Sequence, residues 1–305
     1  MPVRAGLHPT GLYLALRQIA PGELRDAFLQ QTVARVAAEE SIVHVPAQDI
    51  GRAGPGTAPA GIIFHVARCG STLVSQSLKK LDDLVVYSEP QAFNEILVPP
   101  RRWPRAELVA AMRTLGVAFA QHAQRPYVLK LSSWNTLYCD IVAEAFPDTP
   151  WVLSMRDPVE VGVSLLASPP GWFQDTAAGR SSLAMAVDPE GLAGSREEFV
   201  ARVYGAFCEA AARLDASRGR LVQYDALPAA AWEVVAPHFS LSVNSREQDA
   251  MAQAARIHAK APVGENPQFQ SDAVAKQAAA SPELRQAVDS WSRPQLARLM
   301  RSHSQ

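Results

Sequence analysis

Residues 61–81 read GIIFHVARCGSTLVSQSLKKL, and their hydrophobic period changes midway. The β-branched and aromatic run at 62–66 predicts a strand, and apolar residues at helical spacing over 73–81 predict a helix. The turn between them, 67–72, would bring together free backbone N–H groups and the positive end of the helix dipole, which attract anions. The pattern predicts a phosphate- or sulfate-binding loop, although an ordinary turn with a Ser or Thr N-cap fits it equally well.

The residue types in this turn suit an anion. Arg68 supplies a permanent charge, Gly70 lets the backbone approach closely, and Ser71 and Thr72 offer hydroxyl donors. The triphosphate-binding pattern G-x-x-x-x-G-K-[ST] is not matched: with its second glycine on Gly70, His65 replaces the first glycine and Ser71 replaces the lysine. The loop is therefore predicted to bind phosphate without being a Walker A motif.

Composition bounds the class of protein. With 305 residues, 48% hydrophobic and 19% charged, the chain is long enough for one sizeable α/β domain or at most two. The net charge of −1 gives no overall reason to bind nucleic acid. No apolar run approaches the roughly 18 residues that a membrane span needs, and the N-terminus lacks a secretion pattern, so a cytoplasmic protein is expected. The three cysteines are too far apart to suggest a disulfide framework or a zinc site.

Strands and helices alternate along most of the chain. Apolar runs predict strands at 62–66, 84–87, 127–132, 151–155 and 220–225. Helices between them imply right-handed crossovers, hence a three-layer α/β domain of P-loop type: a central parallel sheet flanked by helices, with ligands at the carboxyl ends of the strands. This domain is predicted to cover 61–305 with a C-terminal helical extension. Residues 1–60 are predicted as an N-terminal helical segment, with a helix in 21–40, and a linker at 51–59.

Four charged residues would meet at that edge of the sheet. Glu89 follows the second strand, Lys130 lies in the third, and Arg156 ends the fourth, so all three would converge with Arg68. Lysine is rarely buried without a partner, so Lys130 would point toward a bound anion or, equally, extend to solvent from an edge. Lys260, in the loop 259–270, is interpreted from its surroundings alone as a solvated loop lysine.

Two motifs together resemble a known family. ARCGSTL at 67–73 and RDPVEVGVSLL at 156–166 occur in the order and spacing seen in sulfotransferases. The chain resembles bacterial members of the PAPS-dependent sulfotransferase family. This resemblance implies that the first motif, through Arg68, Cys69, Gly70, Ser71 and Thr72, holds the 5′-phosphosulfate. It implies likewise that Arg156 and Ser164 hold the 3′-phosphate.

Further segments extend the resemblance over about residues 61–300. They are Ser88-Glu89-Pro90, Lys130 on the strand before the second motif, FPDTPWVLSMRDP at 146–158, and QYDAL at 223–227. The loop with Lys260 looks like a degenerate form of the family's nucleotide-covering loop, which makes Lys260 a candidate nucleotide contact. Two departures are Cys69, where serine is commoner, and the missing R-K-G-x-x-G pattern near Lys260.

The chemistry implied is transfer of a sulfuryl group from PAPS to a hydroxyl or amine acceptor, with no metal. Negative charge accumulates on the departing bridge oxygen, so fixed cations are needed there, and Arg68 and Lys130 are the candidates. A hydroxyl acceptor must lose its proton as it attacks, and Glu89 is the best-placed base, with His65 and His122 as weaker substitutes.

Two rival interpretations stay open. A P-loop kinase or NTPase acting with Mg-ATP would use Asp157 as a magnesium ligand, although the loop lacks the P-loop lysine and Asp157 can serve as a helix N-cap. A catalytically inactive nucleotide-binding protein of the same fold is the other. The acceptor is not identified. Specificity is expected in residues 1–60 and in 168–194, the latter predicted to be a lid.

Overall fold

The computed structural model describes most of the chain, namely residues 1–8, 11–36, 42–51, 58–98, 103–171, 173, 186–188, 190–191, 193–257, 259–260 and 272–303. It begins with a three-stranded antiparallel sheet of β1 (Pro2–His8), β2 (Gly11–Leu16) and β3 (Val43–Pro46). Helix α1 (Leu29–Val36) lies between β2 and β3. The helical description of residues 1–60 is thereby corrected: the helix is short and most of the segment's regular structure is strand.

A five-stranded parallel sheet follows. Its strands are β4 (Gly61–His65), β5 (Val85–Ser88), β6 (Tyr127–Lys130), β7 (Trp151–Met155) and β8 (Gly219–Gln223). They are ordered β5-β6-β4-β7-β8, and all four pairings are parallel. The five predicted strands are confirmed, because strands buried on both faces appear in sequence as short continuous apolar runs.

Helices connect and cover these strands. They are α2 (Ser71–Leu78), α3 (Gln91–Leu97), α4 (Arg105–Ala123), α5 (Cys139–Ala145), α6 (Pro158–Ala167), α7 (Arg196–Ala211), α8 (Ala236–His238), α9 (Ser245–Ala254), α10 (Ala273–Ala279), α11 (Pro282–Ala287) and α12 (Arg293–Ser302). A 3-10 helix covers Ser133–Tyr138, and π-helical turns cover Ala231–Val235 and Val288–Ser292. None of the described helices combines the length and apolar character needed to cross a membrane.

Two hydrophobic clusters cover the two faces of the sheet. Phe64 of β4 belongs to a cluster with Phe119 of α4 and Leu14 of β2, whereas its neighbour Ile63 belongs to a cluster with Val74 of α2. Successive residues of a strand point to opposite faces, so the fold is a three-layer α/β structure, as predicted. The N-terminal sheet shares the first cluster. The domain boundary at residue 60 stays a prediction.

Candidate active site

A cavity of about 620 Å³ lies at the carboxyl ends of the central strands. The predicted site residues that line it are Arg68, Cys69, Gly70, Ser71, Thr72, Glu89, Arg156, Ser164 and Lys260. Parallel strands deliver the residues that follow them to one edge, so distant segments of the sequence meet here. Lys130 is the one predicted site residue that is not among the lining residues.

The turn after β4 has the backbone that an anion-binding loop requires. Ala67, Arg68 and Gly70 have positive φ values of 67°, 50° and 81°. Such a turn directs successive N–H groups toward its concave side. Only glycine fits at residue 70, because a Cβ atom there would lie 2.5 Å from Cδ1 of Leu227 and 3.0 Å from Cδ2 of Tyr224. The two hydroxyl-bearing residues that follow are buried and begin α2.

Arg68 and Cys69 have different roles in this turn. The guanidinium of Arg68 donates to the backbone oxygen of Ser168, and its distance to the Ser168 Oγ is 3.2 Å. Cys69 is buried, and burial raises the pKa of its thiol, which therefore stays protonated. Because its thiol is buried and neutral, Cys69 offers a ligand mainly its backbone.

Arg156, at the end of β7, is held by three contacts. Its Nε donates to Oε2 of Glu160 at 2.6 Å and its Nη2 donates to Oδ1 of Asp272 at 2.7 Å. Its Cζ lies 3.9 Å from the centre of the Tyr224 ring. The predicted N-cap is confirmed, because the Asp157 carboxylate accepts a hydrogen bond of 2.9 Å from the backbone N–H of Val159. This contact gives Asp157 a structural role at the start of α6.

Lys276 is a cation of the cavity that the sequence did not single out. Its Nζ lies 2.7 Å from Oδ2 of Asp272, so one carboxylate contacts both Lys276 and Arg156. An Asp–Lys pair four residues apart at a helix start is common on protein surfaces, and nothing in that spacing indicates a ligand site. Only the tertiary position of α10 beside Arg156 makes Lys276 a candidate.

Glu89 and Lys130 contact each other. The Lys130 ammonium forms an ion pair with Oε1 of Glu89, and the Glu89 N–H donates to the Lys130 carbonyl at 2.6 Å. The Lys130 side chain is 0% exposed and that of Glu89 is 26% exposed. The buried ammonium thus faces a carboxylate of the protein, a contact the sequence did not predict, rather than the cavity.

The ion pair between Lys130 and Glu89 affects the ionisation of Glu89 and of the neighbouring His65. Burial alone would raise the pKa of Glu89, but the charge of Lys130, assisted by His65, holds that pKa well below its usual range. Burial and the charge of Lys130 lower the pKa of His65 to about 4. Glu89 is therefore ionised and His65 neutral near pH 7.

The two histidines considered as substitute bases are both engaged elsewhere. Nδ1 of His65 accepts from the Ala67 N–H at 3.2 Å, and Nε2 lies 3.0 Å from the Leu131 carbonyl. The lone pair with which His65 would accept a proton is therefore already engaged in a hydrogen bond. His122 contacts the Tyr87 hydroxyl at 2.6 Å and is not among the cavity-lining residues.

Aromatic and amide side chains complete the lining. Phe28 and Gln30 come from the N-terminal segment, and Trp134 comes from the 3-10 helix after β6. The Phe28 ring centre lies 5.2 Å from Nζ of Lys130 and 5.8 Å from Nζ of Lys260. Sequence reasoning missed Phe28 and Trp134, because isolated aromatic residues in apolar surroundings usually belong to a core.

Three predicted segments lie partly outside the described residues. Of the predicted lid, 174–185 lies outside the described residues, as does 261–270 of the loop around Lys260. The predicted linker at 51–59 lies outside them at 52–57. Within the described residues, no cluster of three or more His, Cys, Asp or Glu side chains is arranged to hold a metal ion.

The chain is similar in structure to solved sulfotransferases. The sulfotransferase domain from the curacin biosynthetic pathway has 12% identity, covers 77% of this chain and 98% of its own, and gives a TM-score of 0.46. The sulfotransferase domain of the Synechococcus PCC 7002 olefin synthase has 13% identity, covers 79% of this chain and 98% of its own, and gives a TM-score of 0.46. The sulfotransferase from Alicyclobacillus acidocaldarius has 15% identity, covers 81% of this chain and 96% of its own, and gives a TM-score of 0.43.

The sequence itself matches no protein-family model and no curated protein sequence at a significant level. Identities of 12–15% leave the donor and the acceptor to be inferred from this chain's own residues.

Proposed function

We propose that the protein is a sulfotransferase that moves a sulfuryl group from PAPS to a hydroxyl or amine acceptor. One observation carries the proposal: two basic turns, at 67–72 and at Arg156, line one cavity, and both lie against Tyr224. A single ligand with anionic groups at two positions would satisfy both turns at once.

The residues present are suited to PAPS. The donor supplies a sulfuryl group on a phosphate leaving group. Gly70, Ser71 and Thr72 would hold the 5′-phosphate at the start of α2, and Arg156 with Ser164 would hold the 3′-phosphate. The Asp272 carboxylate already contacts Arg156 and Lys276, which supports an anion site at that end of the cavity.

The transfer conserves atoms and charge in one displacement. The acceptor oxygen forms a bond to sulfur as the bridging S–O bond breaks, and the bonding electrons leave on the phosphate of the donor. The acceptor's proton passes to Glu89. Arg68, whose guanidinium lines the cavity beside the loop, would stabilise the developing negative charge.

The low pKa of Glu89 fits a particular timing of proton transfer. A carboxylate held by Lys130 is ionised and can accept a hydrogen bond from the acceptor hydroxyl, but it is a weak base. Bond formation to sulfur makes the attached hydroxyl proton far more acidic. Glu89 would therefore orient the acceptor first and receive its proton after the O–S bond has begun to form.

A thermal-shift comparison of PAP with ATP, ADP and NAD tests the proposal. A ligand that binds only the folded state raises the melting temperature by mass action, so PAP should give the largest rise. The variant Arg156→Gln should lose most of that rise because the 3′-phosphate loses its fork-shaped partner. A larger rise with ATP and magnesium than with PAP would contradict the proposal and favour a kinase or NTPase.

A further inference from the structure

We propose that Lys260 is the cation that contacts the transferred sulfuryl group, and that Lys130 is a positioning residue that holds Glu89. The inference rests on the proposed function. It differs from the expectation drawn from the sequence, in which Lys130 contacts the sulfuryl group and Lys260 contacts the nucleotide.

Lys130 is committed to Glu89. Its side chain is fully buried, its ammonium forms an ion pair with the Glu89 carboxylate, and its carbonyl accepts the Glu89 N–H. These two contacts join the ends of the adjacent strands β5 and β6. Turning the ammonium toward a ligand would leave a largely desolvated carboxylate without its partner, which is unfavourable.

Lys260 differs from Lys130 in its access to the cavity. Both ammonium groups lie near Phe28, with Lys130 Nζ at 5.2 Å and Lys260 Nζ at 5.8 Å from the ring centre, but only Lys260 lines the cavity. No ion pair joins Lys260 to a carboxylate of the described residues. It is thus a cation near Glu89 and Arg68 whose charge is available to an anionic ligand.

The charges around Lys260 make its protonation sensitive to such a ligand. The groups that face it are Arg68, Lys130, Glu89 and Cys69. Partial burial, followed by the positive charges of Arg68 and Lys130, lowers the pKa of Lys260 to about 8. An anion bound beside the ammonium would raise this pKa again. Donor binding near pH 8 should therefore be accompanied by proton uptake.

A comparison of PAPS with PAP, by calorimetry without acceptor, tests the contact with the sulfuryl group. The two ligands share the adenosine and the 3′-phosphate, and they differ only in the sulfuryl group and in the charge that this group leaves on the 5′-phosphate. Lys260→Met should lower the preference for PAPS over PAP by about tenfold, the scale of one charge-assisted contact. Lys80→Met, the same change at an exposed lysine away from the cavity, is the matched control and should leave the preference unchanged.

Proton linkage gives a second readout. Titrations at pH 8 in two buffers of different ionisation enthalpy should show uptake of roughly half a proton when PAPS binds to the wild-type protein. Lys260→Arg should retain PAPS binding but abolish this uptake, because an arginine is protonated throughout. Uptake that persists unchanged in Lys260→Arg would overturn the assignment.

The role of Lys130 is tested with its partner removed. The double variant Lys130→Met/Glu89→Gln leaves no unpaired buried charge, so it should fold, and its preference for PAPS over PAP should equal that of the wild type. A loss as large as that of Lys260→Met would return the sulfuryl contact to Lys130.

If the wild type binds neither PAPS nor PAP, the proposed function fails and this inference fails with it. If it binds both but Lys260→Met keeps the preference, only this inference fails.

Discussion

At the scale of single residues, the Asp272 carboxylate contacts two cations of the cavity. It lies 2.7 Å from Arg156 and 2.7 Å from Lys276, and its side chain is 49% exposed. A carboxylate in this position satisfies two cations whose charges would otherwise repel each other. It would also compete with a ligand phosphate for the same donors, so Asp272 would act as an internal substitute for the ligand anion.

Asp272→Asn removes the negative charge but keeps a side chain that can contact Lys276. PAP should then bind about tenfold more tightly, because under the proposed function its 3′-phosphate would no longer compete with a carboxylate for Arg156. Isothermal titration measures the change. The variant Asp289→Asn, at a carboxylate paired with Arg293, controls for net charge and should show no gain. Weaker PAP binding in Asp272→Asn would mean that the carboxylate mainly orients the two cations.

The residues of the site were partly predictable. ARCGSTL, Arg156 and Glu89 could be placed at one sheet edge because each follows an apolar strand in the sequence. The ion pair of Glu89 with Lys130 could not be predicted, since it depends on β5 lying next to β6. Strand order is a tertiary property that the local patterns of a single sequence do not reveal. The contribution of Lys276 depends likewise on how α10 packs.

At the scale of elements, the ends of helices follow local chemistry closely. The N-cap predicted at Asp157 is present, and Ser281 caps α11 in the same way, each side chain accepting a backbone N–H of the first turn. Ser195 caps α7 in the same way by accepting from the Glu198 N–H, and the Glu198 carboxylate accepts from the Gly194 N–H. Cap signals were readable because they span only three or four residues.

The N-terminal sheet was missed for the opposite reason. Its strands are less buried than most of those in the central sheet, and β3 pairs with β2 from about 30 positions away along the chain. An amphipathic pattern over 21–40 predicts a helix there, yet α1 covers only Leu29–Val36 of that stretch. Antiparallel strands with one exposed face give a weaker sequence signal than buried parallel ones.

The end of α4 offers a test of helix termination. Gln124 follows the helix with φ of 53°, in the left-handed region, and its side chain is exposed. Gln124→Gly should stabilise the fold by about 1 kcal/mol, because glycine adopts this conformation without steric cost. Denaturant unfolding measures the change. Gln124→Ala should give no such gain, since alanine is strained there too, and an equal gain would refute the explanation.

At the scale of the whole molecule, one cluster joins the N-terminal sheet, β4 and α4. The N-terminal segment therefore contributes Phe28 and Gln30 to the cavity from a position packed on the main sheet. His65 ends β4, just before the turn at 67–72, and is 5% exposed. Burial of a neutral imidazole at this point links the stability of the molecule to pH.

Between about pH 6.5 and 4, stability should fall as the pH falls. The unfolded chain binds a proton at His65 that the folded protein does not, since the pKa of His65 is about 4 in the fold. The contribution is about 1.4 kcal/mol per pH unit in that window. His65→Gln, which retains a donor toward Leu131, should flatten the slope of unfolding free energy against pH. The same substitution at exposed His44 serves as the control, and an equal flattening there would contradict the assignment.

The order of the central strands has a kinetic consequence. Glu89 follows β5 and Arg156 follows β7, with β6 and β4 between them. Three strand spacings amount to about 14 Å. A donor anchored near β7 and an acceptor near β5 would thus lie side by side, and neither would have to depart before the other arrives. The layout suits direct transfer within a ternary complex, with no need to store the moving group on the protein.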